Sequence, residues 1–233
     1  MSAWFRRREI VLPTWRSLLL LLGVVAALCV LAGRGLGGWL SVTEPIDGAE
    51  GAPARVLVVE GWLAVPELEA AAAFARARGY TQVATSGGPI NDPFNRFENF
   101  AERAAAVLRA RLPGVSVRAL PTPPTAQNRT YASAVWVRDG LRAQGALPAA
   151  LDVYSLGPHA RRTRWMYQLA FGEGTRIGIV AGTPLESDPL HWWTGSESAK
   201  AVLGEAISLA WTACCFRPPP RGSHEERWAV PPR

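Results

Sequence analysis

The chain has 233 residues, of which 48% are apolar and 19% charged, and a formal net charge of +6. That apolar share excludes a largely disordered chain, and the length suits one packed domain with appendages. The positive charge is spread thinly, without a basic stripe interleaved with aromatics, which argues against a nucleic-acid partner.

From the N-terminus, the first element is "SLLLLLGVVAALCVLAG", uncharged between Arg16 and Arg34 and bracketed by Trp15 and Trp39. Spans of a bilayer take roughly 20 apolar residues and carry interfacial aromatics, so residues 17–40 are expected to be a transmembrane signal anchor. Arg6, Arg7, Arg8 and Arg16 precede it, so the positive-inside rule puts residues 1–16 in the cytoplasm and the following domain across the membrane. A cleaved signal peptide fits less well, because its apolar region is usually shorter and no A-x-A-like site directly follows Leu31. Residues 41–54, "SVTEPIDGAEGAPA", are rich in Gly, Pro and acid and read as a linker.

An alternation of strands and helices then begins. "RVLVVEGW" reads as a buried strand, and Pro66 to Arg78 as a helix with Leu68, Ala72 and Ala75 on one side. "TQVATSGG" is a second strand, followed by a helix over "NRFENFAERAAAVLRARL" that includes Phe97 and Phe100. "VSVRAL" and the helix "RTYASAVWVRDGLRAQG" come next. "LDVYSL", a helix from about Pro158 to Phe171, "RIGIVA" and a helix from about Ser196 to Cys215 complete the order. This pattern predicts an α/β domain over residues 55–215, a Rossmann-like three-layer sandwich on a mostly parallel sheet of about five strands. The Pro- and charge-rich stretch 216–233 reads as a flexible tail. Adjacent Cys214 and Cys215 make neither a disulfide framework nor a zinc spacing, and read as small apolar residues at a helix end. No metal site and no particular cofactor is indicated.

Open parallel sheets bind ligands outside the carboxyl ends of their strands. The residues expected there are Glu60-Gly61-Trp62, Ser86-Gly87-Gly88, Arg129-Thr130 and the cationic turn "GPHARRTRW". His159, Arg162, Thr163, Met166 and Ala170 follow helical spacing and should face the sheet, whereas Arg161, Arg164 and Gln168 should be solvated. An anion pocket follows, in which Arg162 grips a phosphate or carboxylate bidentately and His159, held mostly neutral, moves a proton. Equally, the histidine can cap its own helix while Arg162 pairs with an acid. Ser86 fits a hydrogen-bond donor better than a nucleophile elbow, because Pro89 and Pro93 follow where the elbow needs a helix. Glu60 can bind a metal, act as a base, or neutralise Arg129 or Arg162. Trp192 and Trp193 suit core packing, a pocket wall or the membrane surface.

Taken in order, "TSGG", the helix "FAERAAAVL", "NRTYASA", "LGPHARRTRW" and "HWWTGSESAK…GEAISL" are similar to the YdcF/ElyC/SanA-like family of bacterial envelope proteins. The resemblance covers about residues 55–213 and rests on Ser86-Gly87-Gly88, Arg129-Thr130-Tyr131 and His159 with Arg162. "VEGW" departs from the family's more glycine-rich first turn. The resemblance implies a Rossmann-like domain tethered to the bacterial inner membrane, with a role in cell-envelope or peptidoglycan-precursor metabolism. The expected ligand is an anionic small molecule or a lipid-linked phosphorylated intermediate, bound by Glu60, Gly61, Ser86, Gly87, Gly88, Arg129 and Thr130. Phosphoester chemistry would fall to His159 as acid/base and Arg162 as charge stabiliser. A non-catalytic regulatory module and a binder of an adenosyl-type molecule are the alternatives.

Overall fold

The computed structural model describes residues 14–46, 56–125, 127–145 and 147–227. Arg6, Arg7 and Arg8, most of the expected linker and the end of the tail lie outside the described residues.

Five strands, β1 (Val56–Glu60), β2 (Gln82–Gly87), β3 (Ser116–Pro121), β4 (Ala150–Leu156) and β5 (Arg176–Gly182), form one parallel sheet in the order β3-β2-β1-β4-β5. All five residues of β1 are buried, as expected for a central strand covered on both faces. Alternate side chains serve opposite layers. Leu57 and Val59 pack with Val83, Val117 and Val180 against α2 (Val65–Ala77) and α3 (Phe100–Arg111). Val56 and Val58 pack with Leu151, Val153 and Ile179 against α4 (Arg129–Arg142) and α5 (His159–Phe171). The Rossmann-like α/β expectation is met.

α3 is shorter than its apolar spacing predicts. Asn99 caps it, its Oδ1 accepting from the Glu102 N–H at 2.8 Å, and Phe97 falls in the preceding loop. A capping side chain satisfies a backbone donor that the helix cannot, and so fixes where the helix begins.

The apolar N-terminal segment forms α1 (Trp15–Leu40), a helix of 26 residues that contains an 18-residue stretch of mean hydropathy 2.3 and is long and apolar enough to cross a membrane. Its last turns belong to the domain. Leu40 is fully buried with Val202 and Leu209 of α6 (Ser196–Cys214), alongside Leu36, Trp165 and Trp192. Trp192, in the short 3₁₀ segment Pro189–Thr194, donates its indole N–H to the Gly33 carbonyl at 2.9 Å. Gly37 is required at this junction, because a Cβ there would stand 1.7 Å from the Pro189 carbonyl oxygen.

Three expectations of solvated or loose structure are corrected here. Arg161 lies over the Trp39 ring at 4.2 Å and donates to the Trp39 carbonyl, while Arg164 pairs with Glu44. The beginning of the expected linker is laid down as structure: Glu44 bridges antiparallel to Ile179 on the edge of β5, and the Ile46 N–H donates to Asp152 Oδ1 at 2.8 Å. The tail is docked through residue 227. Phe216 is buried, and α7 (His224–Arg227) sets the fully buried Glu226 in a bidentate pair with Arg138, at 2.6 and 2.9 Å. Proline content signalled disorder, but a buried ion pair and an aromatic anchor hold this segment in place. Cys214 and Cys215, read as small apolar residues at a helix end, are joined to each other.

Candidate functional site

β1 and β4 are neighbours in the sheet, yet the chain leaves β1 toward one face and β4 toward the other. Their carboxyl ends therefore frame the switch-point crevice where such sheets bind ligands. Glu60 ends β1 and pairs in register with Ser86 on β2. The Gly61 N–H donates to the Ser86 carbonyl at 2.6 Å, and a Cβ on Gly61 would lie 2.5 Å from both that oxygen and the Phe100 carbonyl. Gly61 is thus demanded by close backbone approach beneath the site and does not line it, a correction to its expected ligand contact. On the other strand, Gly157 at φ 45° turns the chain sharply from β4 into α5, which puts His159 at the crevice.

A cavity of about 730 Å³ opens there, lined among others by Glu60, Trp62, Ser86, Gly87, Gly88, Arg129, Thr130, His159, Arg162 and Glu205. Apart from Gly61, every residue expected from sequence to bind a ligand reaches this one space. The first turns of α4 and α5 both open on it, and helix N-termini favour negative charge through their free N–H groups and aligned peptide dipoles.

His159 sits between two carboxylates. Its Nδ1 lies 2.8 Å from Glu205 Oε1, and its Nε2 lies 3.6 Å from Glu60 Oε1. Trp62 meets the imidazole edge-to-face at 5.6 Å. Burial alone would lower the histidine's pKa. The charge of Glu60 and the hydrogen bond to Glu205 overcome it and push the pKa up to about 9. The expected mostly neutral imidazole is therefore corrected: at neutral pH it is an imidazolium. Glu205 shows the counterpart. Burial would raise its pKa, but hydrogen bonds from His159 and Arg162 pull it down to about 2.

Arg162 faces inward as predicted, with its grip already occupied. Nε donates to Glu205 Oε2 at 2.8 Å and Nη2 to Oε1 at 3.1 Å, while Nη1 reaches Thr130 Oγ1 at 3.3 Å. The bidentate edge expected to hold a ligand is thus taken by a carboxylate of the protein. Because Nδ1 of His159 and Nη2 of Arg162 both turn toward Glu205 Oε1, their own 3.1 Å approach is a contact between two donors. Arg129 lines the cavity, is exposed, and forms no ion pair among the described residues.

Glu60 does not neutralise either arginine. Its buried carboxylate accepts from Ser155 at 2.5 Å and from Thr163 at 3.4 Å, beside the imidazole. Ser86 is also buried, and its Oγ accepts from Tyr167 at 3.5 Å. Burial and the nearby Glu60 charge push the Tyr167 phenol up, so it stays a donor. Trp192 and Trp193 line neither this cavity nor its rim; they stand at the α1 junction, Trp193 under the Arg34 guanidinium at 5.3 Å.

Glu205 is the functional residue that sequence reasoning missed. One signal was available: between Lys200 and Arg217 it is the sole charged residue in an otherwise apolar helix. A lone carboxylate in such a run needs a buried partner, because an unpaired buried charge is costly.

No protein-family model matches the chain, and no curated protein matches it.

Proposed function

We propose that this is a membrane-anchored YdcF/ElyC/SanA-like envelope protein that binds a phosphorylated or otherwise anionic ligand in the cavity at the carboxyl edge of its sheet. The observation that carries this reading is the convergence on one cavity of two helix N-termini, the Gly87-Gly88 bend, an imidazolium and an Arg129 without an ion pair among the described residues. Arg162, Arg129 and charged His159 outnumber Glu60 and Glu205 by one, so the cavity lining has a surplus positive charge. The membrane helix and the arginines before it support a bacterial inner-membrane location with the domain on the periplasmic or extracytoplasmic side.

The charged imidazole favours a second, catalytic reading, hydrolysis of a phosphoester. Water adds to phosphorus, the bond to the leaving oxygen breaks, His159 supplies that oxygen's proton and Glu60 accepts the proton from water. Here His159 begins as the acid.

Calorimetry on the full chain in lipid nanodiscs, titrated with inorganic phosphate, tests the binding claim. Saturable binding that Arg129→Ala weakens at least about tenfold is expected, the loss of one charge-assisted contact. No binding, or binding indifferent to Arg129, would overturn it. Phosphomonoesterase activity abolished by His159→Ala tests the catalytic reading.

A further inference from the structure

α1 changes character along its length. Among the described residues it is exposed from Trp15 to Ala32, and the domain then covers Gly33, Leu36, Gly37, Gly38 and Leu40 in part or in whole. The bare length from Trp15 to Gly33 runs about 27 Å as a helix, close to the roughly 30 Å hydrocarbon core of a bilayer. The next residue, Arg34, carries the first charge after Arg16. The level at which a spanning α1 leaves the hydrocarbon is therefore the level at which the domain first touches it.

That touch is made by Pro189–Thr194. Besides the Trp192 bond to Gly33, Trp193 lies against Arg34 and the Pro189 carbonyl against Gly37. Leu190 reaches Gly38, its Cδ2 standing 3.3 Å from where a Cβ would be. Trp192 turns toward α1, while Leu190 is 63% and Trp193 42% exposed. Beside them His191 Nδ1 lies 2.8 Å from Asp188 Oδ2, on two exposed side chains. This mixture is too polar for hydrocarbon and leaves a leucine and an indole unpartnered in water, which is the makeup of a bilayer interface.

The same segment is tied to the carboxyl edge of the sheet. Gly157, at the turn from β4 into α5, packs so closely on Pro184 and Pro189 that a Cβ there would stand 2.7 and 3.4 Å from their ring carbons. His159 follows two residues later. Pro189–Thr194 therefore sits on the edge that carries the cavity.

We propose that Pro189–Thr194 is an interfacial segment, seated at the headgroup level of the bilayer that α1 crosses, with Leu190 and Trp193 against the ends of the acyl chains. The partner is the lipid surface itself. The carboxyl edge of the sheet then faces the membrane, and exposed Glu173, in the turn between α5 and β5 at the opposite edge, faces away from it. The inference rests on reading α1 as a membrane span and does not depend on what the cavity binds.

Photo-crosslinking of the full chain in phosphatidylcholine nanodiscs tests this. Benzoylphenylalanine is placed singly at Val25 within α1, at Leu190, at Trp193 and at Glu173, all exposed positions, and lipid adducts are read by mass spectrometry. Leu190 and Trp193 should each give a lipid-adduct yield at least about tenfold above Glu173, because only a residue at the interface meets acyl carbon. Val25 reports the span separately. Adducts at Val25 with none at Leu190 and Trp193 would overturn the docking and keep the span. No lipid adduct at Val25 would remove the span and the docking with it. Equal yields at Leu190 and Glu173 would mean that the domain holds no fixed face toward the bilayer. Protein–protein adducts at Leu190 in place of lipid would give this face to a second copy of the chain and overturn the lipid assignment.

Discussion

Nδ1 of His159 lies 2.8 Å from Oε1 of Glu205, joining the first turn of α5 to the middle of the last long helix. Glu205 also holds Arg162 through two hydrogen bonds, so one carboxylate organises both residues to which the sequence reading gives the chemistry. Glu205→Gln should keep the shape and remove the charge. The His159 pKa, followed by NMR titration of the labelled imidazole, should fall from about 9 by roughly one unit or more, with Glu60 sustaining part of the elevation. An unmoved titration would show that Glu205 does not set the charge of the imidazole.

Stability should depend on pH through the same pair. The His159 pKa in the fold, about 9, exceeds the ordinary 6.5, so its contribution is complete below 6.5 and is lost as pH rises through 9. Glu205, lowered from 4.5 to about 2, contributes fully above 4.5 and loses that contribution as pH falls through 2. The thermal midpoint should therefore decline on the alkaline side between pH 6.5 and 9, and His159→Gln should flatten that decline. A decline of equal slope in the variant would assign the effect to other groups.

The C-terminal segment should matter for stability and hardly at all for the cavity. Glu226 is fully buried against Arg138, and removing one member of a buried pair typically costs about 3–5 kcal/mol. Arg138 keeps Asp139 at 2.8 Å and the Ala170 carbonyl at 2.9 Å, so Glu226→Ala should fall near the low end, about 3 kcal/mol by urea denaturation. A loss under about 1 kcal/mol, the scale of an exposed pair, would show that residues 216–227 are not held as described.

Gly37→Leu should part the membrane helix from the domain. The side chain would collide with the Pro189 carbonyl, 1.7 Å from the position of its Cβ. Amide hydrogen exchange should quicken over residues 189–194 and at the start of α6, while α2 and α3 on the far face of the sheet keep their protection. Uniformly faster exchange would mean the change acts on the whole fold.

Period and punctuation made the layered fold legible before any coordinates. β-branched runs such as "RVLVV", closed by glycine and followed by alanine-rich helices, leave few other architectures. The inward pair His159 and Arg162 was legible for the same reason, since three-residue helical spacing fixes a shared face. What escaped was long-range and electrostatic. Glu205 is distant in sequence and sits in a helix whose apolar residues gave the stronger signal. Without it, the sequence offers His159 no carboxylate to hold it charged, and leaves Arg162 open between gripping a ligand and pairing with an acid, the second of which Glu205 supplies. The arginines assigned to solvent, Arg161 and Arg164, were misplaced because helical phase gives a direction and does not say what lies in it; there it was Trp39 and Glu44.

The bridge between Glu44 and Ile179 has a kinetic corollary. In order of synthesis, residues 43–46 are made before every group they bond to: the Asp152 carboxylate and the backbone of β5 follow more than a hundred positions later. Closing so large a loop is entropically slow, so these early-made residues can be seated only after the last strand has been delivered. Until that moment the rim of β5 is bare, which makes the nascent chain most vulnerable to mispairing just before its domain is complete.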